Sequence, residues 1–239
     1  MRRAFSIGGL RARGNTCEAD IIYHIHGAGT QWMASLCVGD RVSALGPLGH
    51  GFEINPAKPV AWLLAGGVGL PPVLWLAERL QEAGKSAVAF FGARARHLMP
   101  LKIGDPDNLP RDGSSAALAA EEFARFGTPV VLSTDDGSLG FHGTVCGALA
   151  AYRRAWDGDE TGVVVYCCGP EAMLAAVARQ CTVDGIECYV CMEREMACGV
   201  GTCQSCVVRV RDHADADGWR YALCCSEGPV FDARDVLWA

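Results

Sequence analysis

The sequence predicts a multi-part protein in which a β-rich segment, an α/β segment built on a parallel sheet and a small cysteine-rich segment follow one another. Residues 55–190 alternate short apolar runs with helical patterns, which is typical of a parallel sheet with helices on both faces. Residues 1–54 contain short strand-like runs and turns, and residues 191–239 carry many cysteines and little helix. We therefore expect three domains, with boundaries near residues 54 and 190.

The first segment is predicted to hold two strands, Ile21–Ile25 and Arg41–Leu45, because both are short apolar runs next to glycine-containing turns. The glycines of residues 27–30 and a short helix near Gln31–Leu36 separate the two strands. The pair Gly39-Asp40 is typical of a turn before the second strand.

The second segment is predicted to contain four strands and four helices in alternation. The strands are Val60–Leu64, Ala87–Phe91, Val130–Ser133 and Gly162–Cys168. The helices are Pro71–Ala83, Ala119–Phe126, Thr144–Ala155 and Pro170–Val183. In open sheets of this kind ligands bind at the carboxyl ends of the strands, so the loops after these strands are the first place to look for a site.

The third segment is predicted to contain one β-hairpin. Its strands are Cys206–Val210 and Trp219–Leu223, joined by the acidic turn Asp212–Gly218. Since the turn is polar and lies between two apolar runs, we interpret it as a solvated loop tip.

Closely spaced cysteines in this third segment carry the most specific signal in the chain. Cys198, Cys203 and Cys206 have C-x4-C-x2-C spacing on a glycine-rich loop, and a fourth candidate follows at Cys224 or Cys225. This is the plant-type ferredoxin arrangement for a [2Fe–2S] cluster. The glycines let the backbone curl around a cluster and direct N–H groups toward its sulfurs. The pattern therefore indicates a protein that carries single electrons.

Two other interpretations of the cysteines stay open at this point. A zinc site also uses four thiolates, but its usual signature is two C-x2–4-C pairs, whereas here three candidate ligands crowd one loop. Disulfides are less expected, because the count of 13 cysteines is odd and no signal peptide is visible. Most of the remaining cysteines lie in apolar runs, where a thiol acts as a small buried hydrophobic group.

Three loops at predicted strand ends form a candidate nucleotide site. The first is glycine-rich and opens a helix with prolines, which suits a pyrophosphate approaching backbone N–H groups. Each loop also has a plainer explanation: a glycine turn, a pair of solvated carboxylates, or a buried thiol beside a helix start. The candidate residues are Gly66, Gly67, Gly69, Asp135, Asp136, Cys168, Gly169 and Pro170.

Composition excludes some classes of function. The net charge of −6 argues against a nucleic-acid partner, which would favour basic patches. No uninterrupted apolar run reaches the ~18 residues of a membrane span, because glycines and prolines cut the longest candidate, Pro59–Leu76. Half of the residues are hydrophobic, so a substantial core is available. We expect a soluble cytoplasmic protein.

The N-terminal residues contain two possible phosphate contacts. An arginine near the terminus can pair with a phosphate, and Gly29-Thr30 offers N–H and hydroxyl donors ahead of a helix. Arg3-Ala-Phe-Ser6 resembles an R-P-x-S flavin motif, with Ala4 in place of Pro. Gly29-Thr30 resembles a second flavin-phosphate contact, and Ile22-Tyr23-His24 resembles the strand beside the isoalloxazine. A basic terminus followed by a turn is the plainer alternative.

On these motifs the chain resembles the electron-transfer subunits of the NAD-dependent, two-subunit (B-type) dihydroorotate dehydrogenases, within the ferredoxin–NADP reductase superfamily. Gly46–Phe52 resembles the family's G-P-L-G-N-G-F, and Glu193–Cys206 is similar to its cluster loop. Cys225–Phe231 resembles its C-x-D-G-P-V-F, which selects Cys225 over Cys224 as the fourth ligand.

The resemblance implies a fold and a set of cofactors. Residues 1–54 would form a partial antiparallel β-barrel for FAD, residues 55–190 an NAD-binding α/β domain, and residues 191–239 the cluster domain. The cluster ligands would be Cys198, Cys203, Cys206 and Cys225. NAD(H) would bind the three loops described above. The FAD-binding residues would be Arg3, Phe5, Ser6, Ile22, Tyr23, His24, Gly29 and Thr30.

The resemblance also implies an activity and a partner. A catalytic subunit holding FMN would oxidise dihydroorotate to orotate in pyrimidine synthesis, and the two kinds of subunit would form a heterotetramer. Electrons would run from that FMN through the cluster and FAD to NAD+. No residue of this chain resembles an orotate site, so we expect an electron relay without catalytic residues of its own.

One departure from the family pattern bears on the flavin. In the family several strands precede the R-P-x-S motif, whereas here it begins two residues after Met1. Either the gene start is misplaced or the barrel is incomplete, and with an incomplete barrel we expect FAD to be held mainly by phosphate contacts from Arg3, Gly29 and Thr30.

Two rival functions are kept. The first is a related flavin and iron–sulfur subunit of another NAD(P)H-linked complex, such as a hydrogenase. Position 198 is a cysteine in this chain, whereas some relatives have Asp there, and this favours the dihydroorotate type. The second is a non-catalytic zinc-binding protein.

Overall fold

The computed structural model describes residues 3–238, and its regular elements fall into three groups along the chain. The first group is β1 (Gly9–Arg13), β2 (Thr16–Asp20) and α1 (Gly27–Ala34). The second is β3 (Val60–Gly66), α2 (Leu70–Glu82), β4 (Ser86–Ala93), α3 (Glu121–Ala124), β5 (Val130–Thr134), β6 (Phe141–His142), α4 (Val145–Ala155), β7 (Val163–Cys168), α5 (Glu171–Asp184) and β8 (Glu187–Cys191). The third is β9 (Val207–Arg211), β10 (Trp219–Leu223) and β11 (Val230–Asp232).

A seven-stranded sheet organises the molecule, with strand order β11-β8-β7-β3-β4-β5-β6. All neighbours are parallel except the edge strand β11, which runs antiparallel to β8. The central strands are apolar on both faces because helices cover both sides, and this is why they appear in the sequence as continuous apolar runs. The parallel sheet predicted for residues 55–190 is therefore confirmed.

Two hydrophobic cores lie on opposite faces of this sheet. On one face Trp62 is fully buried and meets Phe90, Tyr152 and Trp156 edge-on, with ring centroids 5.1–6.5 Å apart. On the other face α2 packs through its apolar residues. Edge-on aromatic contacts of this kind add to the stabilisation from area burial. The rigid sheet is thus a fixed platform for the loops at its ends.

The predicted helices begin and end where local sequence dictates. Pro71 and Pro72 occupy the first turn of α2, where a missing N–H costs nothing. Thr144 caps α4, since its hydroxyl oxygen accepts the N–H of Gly147 at 3.2 Å. Gly185 ends α5 in the left-handed region with φ of +69°.

The strands predicted at Ile21–Ile25 and Arg41–Leu45 are wrong. Residues 21–26 and 40–48 have no regular secondary structure, and an antiparallel hairpin of β1 and β2 precedes them instead. The side chains of Ile25 and Val42 are 54% and 57% exposed, so no second layer covers these runs within the described residues. An apolar run becomes a strand only where a neighbour pairs with its backbone and packs on one face.

The helix predicted at Ala119–Phe126 is shorter in the structure, at Glu121–Ala124. The preceding residues are extended, and Ala117 exchanges backbone hydrogen bonds with Val130. The pairing draws this stretch onto the sheet and competes with helix formation. The short helix predicted near Gln31–Leu36 lies slightly earlier, as α1.

The hairpin predicted in the third segment is confirmed as β9 and β10, which pair antiparallel from Trp219–Arg211 to Leu223–Val207. Strands β8 and β11 were not predicted. Through β11, residues of the third segment complete the edge of the central sheet, so the two segments share a hydrogen-bonded ladder. The boundaries at residues 54 and 190 stay predictions. Among the described residues no helix is long and apolar enough to cross a membrane.

Arg153→Ala is expected to lower the free energy of unfolding by about 1–3 kcal/mol, the range for hydrogen bonds to charged groups. The Arg153 side chain is only 15% exposed and joins Glu160 and Asp184, with N–O distances of 2.6 Å to each. These bonds tie α4 to α5, and their loss leaves two carboxylates without a cation. Urea unfolding monitored by tryptophan fluorescence measures the change.

The neighbouring Arg154, which is exposed and has no ion pair in the described structure, supplies the control Arg154→Ala. Equal midpoints for the two variants would contradict the prediction.

Candidate functional site

A curled loop presents three of the predicted cluster thiols. Gly199 and Gly201 have φ of +75° and +84°, and Gln204 is also left-handed at +56°. This curl aims backbone N–H groups inward, since those of Val200 and Cys203 both donate to Cys198 Sγ at 3.4 Å. N–H donors on a sulfur stabilise the thiolate that a metal requires.

Ser205 is a residue of this loop that the sequence analysis did not single out. Its hydroxyl lies 3.2 Å from Cys203 Sγ, donates to the carbonyl of Glu195 and accepts the N–H of Ala197. The hydroxyl and the N–H of Ser205 lower the pKa of the exposed Cys203 thiol to about 6. These hydrogen bonds therefore favour the thiolate form of Cys203, which is the form that binds a metal. A small hydroxyl residue between two cysteine ligands was the available signal.

The fourth thiol comes from the turn after β10. Burial, together with a side-chain hydrogen bond that the Cys206 thiol donates to Cys225, raises the pKa of Cys206, so these two thiols are neighbours. The adjacent Cys224 is fully buried in the hydrophobic core, and burial raises its pKa to about 12. All three thiols are buried in the same hydrophobic cluster, but Cys225 is the one hydrogen-bonded to Cys206, and this contact favours Cys225 over Cys224 as a ligand.

The predicted cluster ligands thus occur as two neighbouring pairs, Cys198 with Cys203 and Cys206 with Cys225. In the part of the chain that the structure describes, no three Cys, His, Asp or Glu side chains stand in a ready metal-binding arrangement. The donor set nevertheless fits an iron–sulfur cluster, because it consists of thiolates with N–H donors on a glycine-rich loop. Closing the site requires the two pairs to approach each other.

The glycine-rich loop after β3 lies at the carboxyl end of the sheet. Gly67 has φ of +52°, and no described atom lies within 4 Å of a Cβ built on it, so its outer side faces open space. Gly69, in contrast, lies directly against the carbonyl of Cys168, and a Cβ there would overlap that oxygen. The loop therefore has one packed side and one open side, as a backbone cradle for phosphates requires.

The loop after β7 contacts the loop after β3, as predicted. A Cβ on Gly169 would lie 2.7 Å from Met173 Cε and 3.1 Å from the Gly66 nitrogen. Cys168 is buried at the end of β7, where a hydrogen bond to Cys191 and burial raise its pKa well above the ordinary value. Pro170 caps α5 and is exposed. The thiol of Cys168 therefore stays protonated beside the rim.

The loop after β5 is the third part of this rim. The N–H of Asp135 donates to Ala93 O at 3.1 Å, which ties the loop to the end of β4. The Asp136 carboxylate accepts the N–H of Ser138 at 2.9 Å, and hydrogen bonds from Ser138 hold the pKa of Asp136 below its usual value. The Asp136 carboxylate therefore also stabilises the turn in which it lies. The plainer explanation given for this loop, a turn with solvated carboxylates, had the same expectation.

An open groove of about 450 Å³ lies beside this loop, at the carboxyl ends of β4 and β5. Its polar wall includes Arg96, His97 and Asp136, and its apolar wall includes Met99 and Leu101. Arg96 makes no ion pair within residues 3–238, so the groove offers a cation as well as a carboxylate. Of these residues, only Asp136 was among the nucleotide-site candidates predicted from the sequence.

The predicted flavin-phosphate contacts are close together in the structure. The Arg3 side chain lies over Gly29 at the start of α1, where an added Cβ would be 3.3 Å from Arg3 Nε. Thr30 is buried, and its hydroxyl accepts the N–H of His26 at 2.6 Å and donates to His26 O at 2.8 Å. His26 provides no side-chain cap. A guanidinium beside the first turn of a helix is a favourable place for a phosphate.

The other predicted flavin residues are spread over the same part of the chain. Phe5 and Tyr23 meet edge-on with ring centroids 5.9 Å apart. Ile22 packs against the core beneath α2, whereas Ser6 and His24 are exposed. The structure therefore joins Phe5 to Tyr23 but shows no contact of Ser6 or His24 with the other predicted residues.

Residues 193–237 match the protein family described as the iron-sulfur cluster binding domain of dihydroorotate dehydrogenase B. The whole chain is similar to the electron transfer subunit of dihydroorotate dehydrogenase B (NAD(+)) from Geobacillus kaustophilus, with 36% identity over 99% of this chain and 80% of that protein. The subunit of the same name from Listeria monocytogenes is 33% identical over 99% of this chain and 81% of that protein.

Solved structures show the same fold. The NADH-dependent reduced ferredoxin-NADP oxidoreductase, studied for flavin-based electron bifurcation, matches with a TM-score of 0.70 and 24% identity, over 91% of this chain and 68% of that chain. The ferredoxin reductase of carbazole 1,9a-dioxygenase matches with a TM-score of 0.53 and 17% identity, over 76% of this chain and 51% of that chain. The predicted fold class is confirmed.

Proposed function

The chain belongs to the family of dihydroorotate dehydrogenase B electron transfer subunits, and from this premise we propose that it carries electrons from an FMN-containing partner subunit to NAD+. The route runs through a [2Fe–2S] cluster and FAD held by this chain, while dihydroorotate is oxidised to orotate on the partner. The similarity to relatives named as these subunits, over 99% of the chain, is the observation that carries the proposal. Association with the partner as a heterotetramer in the cytoplasm is part of it.

The cofactors supply the redox chemistry when bound, because a flavin exchanges a hydride with nicotinamide yet passes single electrons to an iron–sulfur centre. The protein supplies binding and order. Arg3 and the start of α1 would hold the FAD phosphates, and the Gly66–Gly69 loop would hold the NAD pyrophosphate. The two thiol pairs would hold the cluster. Each of these groups would bind a separate part of the chain.

The thiols also support the proposed location. All 13 cysteines are free, and most are buried at the end of strands or in the core. Free thiols in this number suit a reducing compartment, where disulfides do not form. The same cysteines would fit a zinc protein, so metal identity is the first discriminating measurement.

The proposal is tested by expressing the chain together with the FMN-containing subunit encoded in the same genome. The purified complex is expected to contain iron and sulfide and to reduce one NAD+ for each dihydroorotate consumed, measured by NADH absorbance and orotate formation. The matched control is the FMN subunit alone, which should oxidise dihydroorotate with an artificial acceptor but fail with NAD+. Zinc in place of iron, or NAD+ reduction by the FMN subunit alone, would contradict the proposal.

A further inference from the structure

The segment Gly46–Phe52, here called the bridging segment, was recognised as a motif in the sequence but has no role in the function proposed above. It is irregular and mostly exposed, yet it contacts both halves of the four-thiol site. A segment without secondary structure that touches two separate parts of a site is held there by specific contacts.

The first contact is with the turn that carries Cys225. The His50 N–H donates to Gly228 O at 2.6 Å, and His50 forms an isolated parallel bridge with Pro229. Gly49 has φ of +66°, and a Cβ there would overlap Gly228 O and lie 3.0 Å from Pro229 Cδ. Only glycine combines this backbone angle with so close an approach. The bridging segment is thus fixed three residues beyond Cys225.

The second contact is with the loop that carries Cys198, Cys203 and Cys206. A Cβ added to Gly199 would lie 2.9 Å from Leu48 Cδ1, so the leucine side chain rests on this glycine. Gly199 is buried although the residues on either side of it are not. Leu48 therefore covers the part of the loop next to Cys198.

The third contact anchors the end of the segment on the central sheet. The Phe52 ring meets Tyr166 of β7 edge-on, with centroids 5.4 Å apart. The Tyr166 hydroxyl donates to Glu53 O at 2.9 Å and accepts the N–H of Asn55 at 3.1 Å. Because the sheet is rigid, this anchor fixes the position from which Leu48 and Gly49 reach the thiols.

We propose that the bridging segment is a clamp that ties the loop of Cys198, Cys203 and Cys206 to the turn of Cys225, with Leu48 and Gly49 as positioning residues for the cluster. The inference rests on the proposed cluster ligands. Leu48 presses on the loop of the first three thiols while Gly49 and His50 hold the turn of the fourth, so one short segment fixes both halves of the site. Neither residue has a metal-donor atom in its side chain, and both act through the backbone that carries the sulfurs.

The test compares Leu48→Ala with Leu45→Ala in the full chain with its cluster. The two leucines are 41% and 45% exposed and lie in the same segment of chain, but only Leu48 rests on Gly199. Leu48→Ala is expected to speed iron loss to a chelator by about tenfold, the lower end of the effect seen when a group that orients metal ligands is removed. Its reduced electron paramagnetic resonance spectrum should also be altered, which a general loss of stability would not cause. Leu45→Ala should match the unmodified protein in both.

A second pair of variants tests the other contact. Gly49→Ala forces the bridging segment away from Gly228. Gly39→Ala changes a glycine that is also at positive φ (+100°), but no described atom lies within 4 Å of the added Cβ. Faster iron loss in Gly49→Ala than in Gly39→Ala is expected. Equal rates and identical spectra within both pairs would overturn the clamp. If the purified protein holds zinc instead of iron, the proposed function is refuted. The clamp is still tested in that case, because the rate of zinc loss can be compared between the same variants.

Discussion

Replacing Cys225 by serine is expected to abolish the [2Fe–2S] cluster, while replacing Cys224 by serine is expected to keep it. Cys225 faces Cys206, and Cys224 lies in the hydrophobic core with its pKa raised to about 12 by burial. A serine hydroxyl is a hard donor that stays protonated at neutral pH, so it is a poor substitute for a thiolate. The measurements are iron and sulfide content and the electron paramagnetic resonance signal after reduction.

Cys224→Ser is a closely matched control, because it makes the same replacement of sulfur by oxygen in the adjacent residue. It introduces a hydroxyl into the core, so we expect a loss of stability of about 1–3 kcal/mol from an unsatisfied buried polar group. The cluster content per folded protein should nevertheless stay near that of the unmodified chain. A normal cluster in Cys225→Ser together with its loss in Cys224→Ser would reverse the ligand assignment.

Gly67→Val is expected to weaken NADH binding by about a hundredfold or more. Each tenfold loss of affinity corresponds to about 1.4 kcal/mol of binding energy. The new side chain would project into the open side of the loop after β3, where the proposed phosphate cradle needs the space. Isothermal titration with NADH measures the affinity directly. The cluster of this variant should be intact, because the loop does not contact the thiols.

Gly84→Val controls for the effect of the substitution on the backbone. Gly84 has φ of +67°, close to the +52° of Gly67, and a Cβ there also meets no described atom within 4 Å. It lies after α2, at the opposite end of the sheet from the rim. Both variants should lose similar stability, but only Gly67→Val should lose NADH binding. Equal NADH affinity in the two proteins would remove the Gly66–Gly69 loop as the nucleotide site.

The parts of the site that could be predicted from the sequence are those whose residues lie close together in the chain. The spacing of Cys198, Cys203 and Cys206 defines one loop, and the loop geometry follows from its glycines. The rim loops were predictable because parallel strands end at the same edge of a sheet. Apolar runs covered on both faces, such as β3 and β7, were located to within a few residues.

What the sequence did not reveal depends on contacts between distant residues. The run Ile21–Ile25 has strand composition, but strand formation requires a paired neighbour, and none is present among residues 3–238. The short β11 is recognisable only from its pairing with β8. The approach of Leu48 to Gly199 joins residues far apart in the chain, and neither hydrophobic pattern nor propensity encodes it.

The edge strand β11 has a consequence for how the protein is made. Domains fold from the N-terminus during synthesis, so β3 to β8 are available before the residues of β11 leave the ribosome. Until then β8 keeps an unpaired edge, which invites mispairing with other chains, and the Cys225 turn is not yet anchored to the sheet. Pairing of Val230 with Cys191 closes this edge and brings the Cys225 turn to its place in one event. The Cys225 turn therefore reaches its folded position, and becomes available to the machinery that delivers iron and sulfide, only after the sheet has received its last strand.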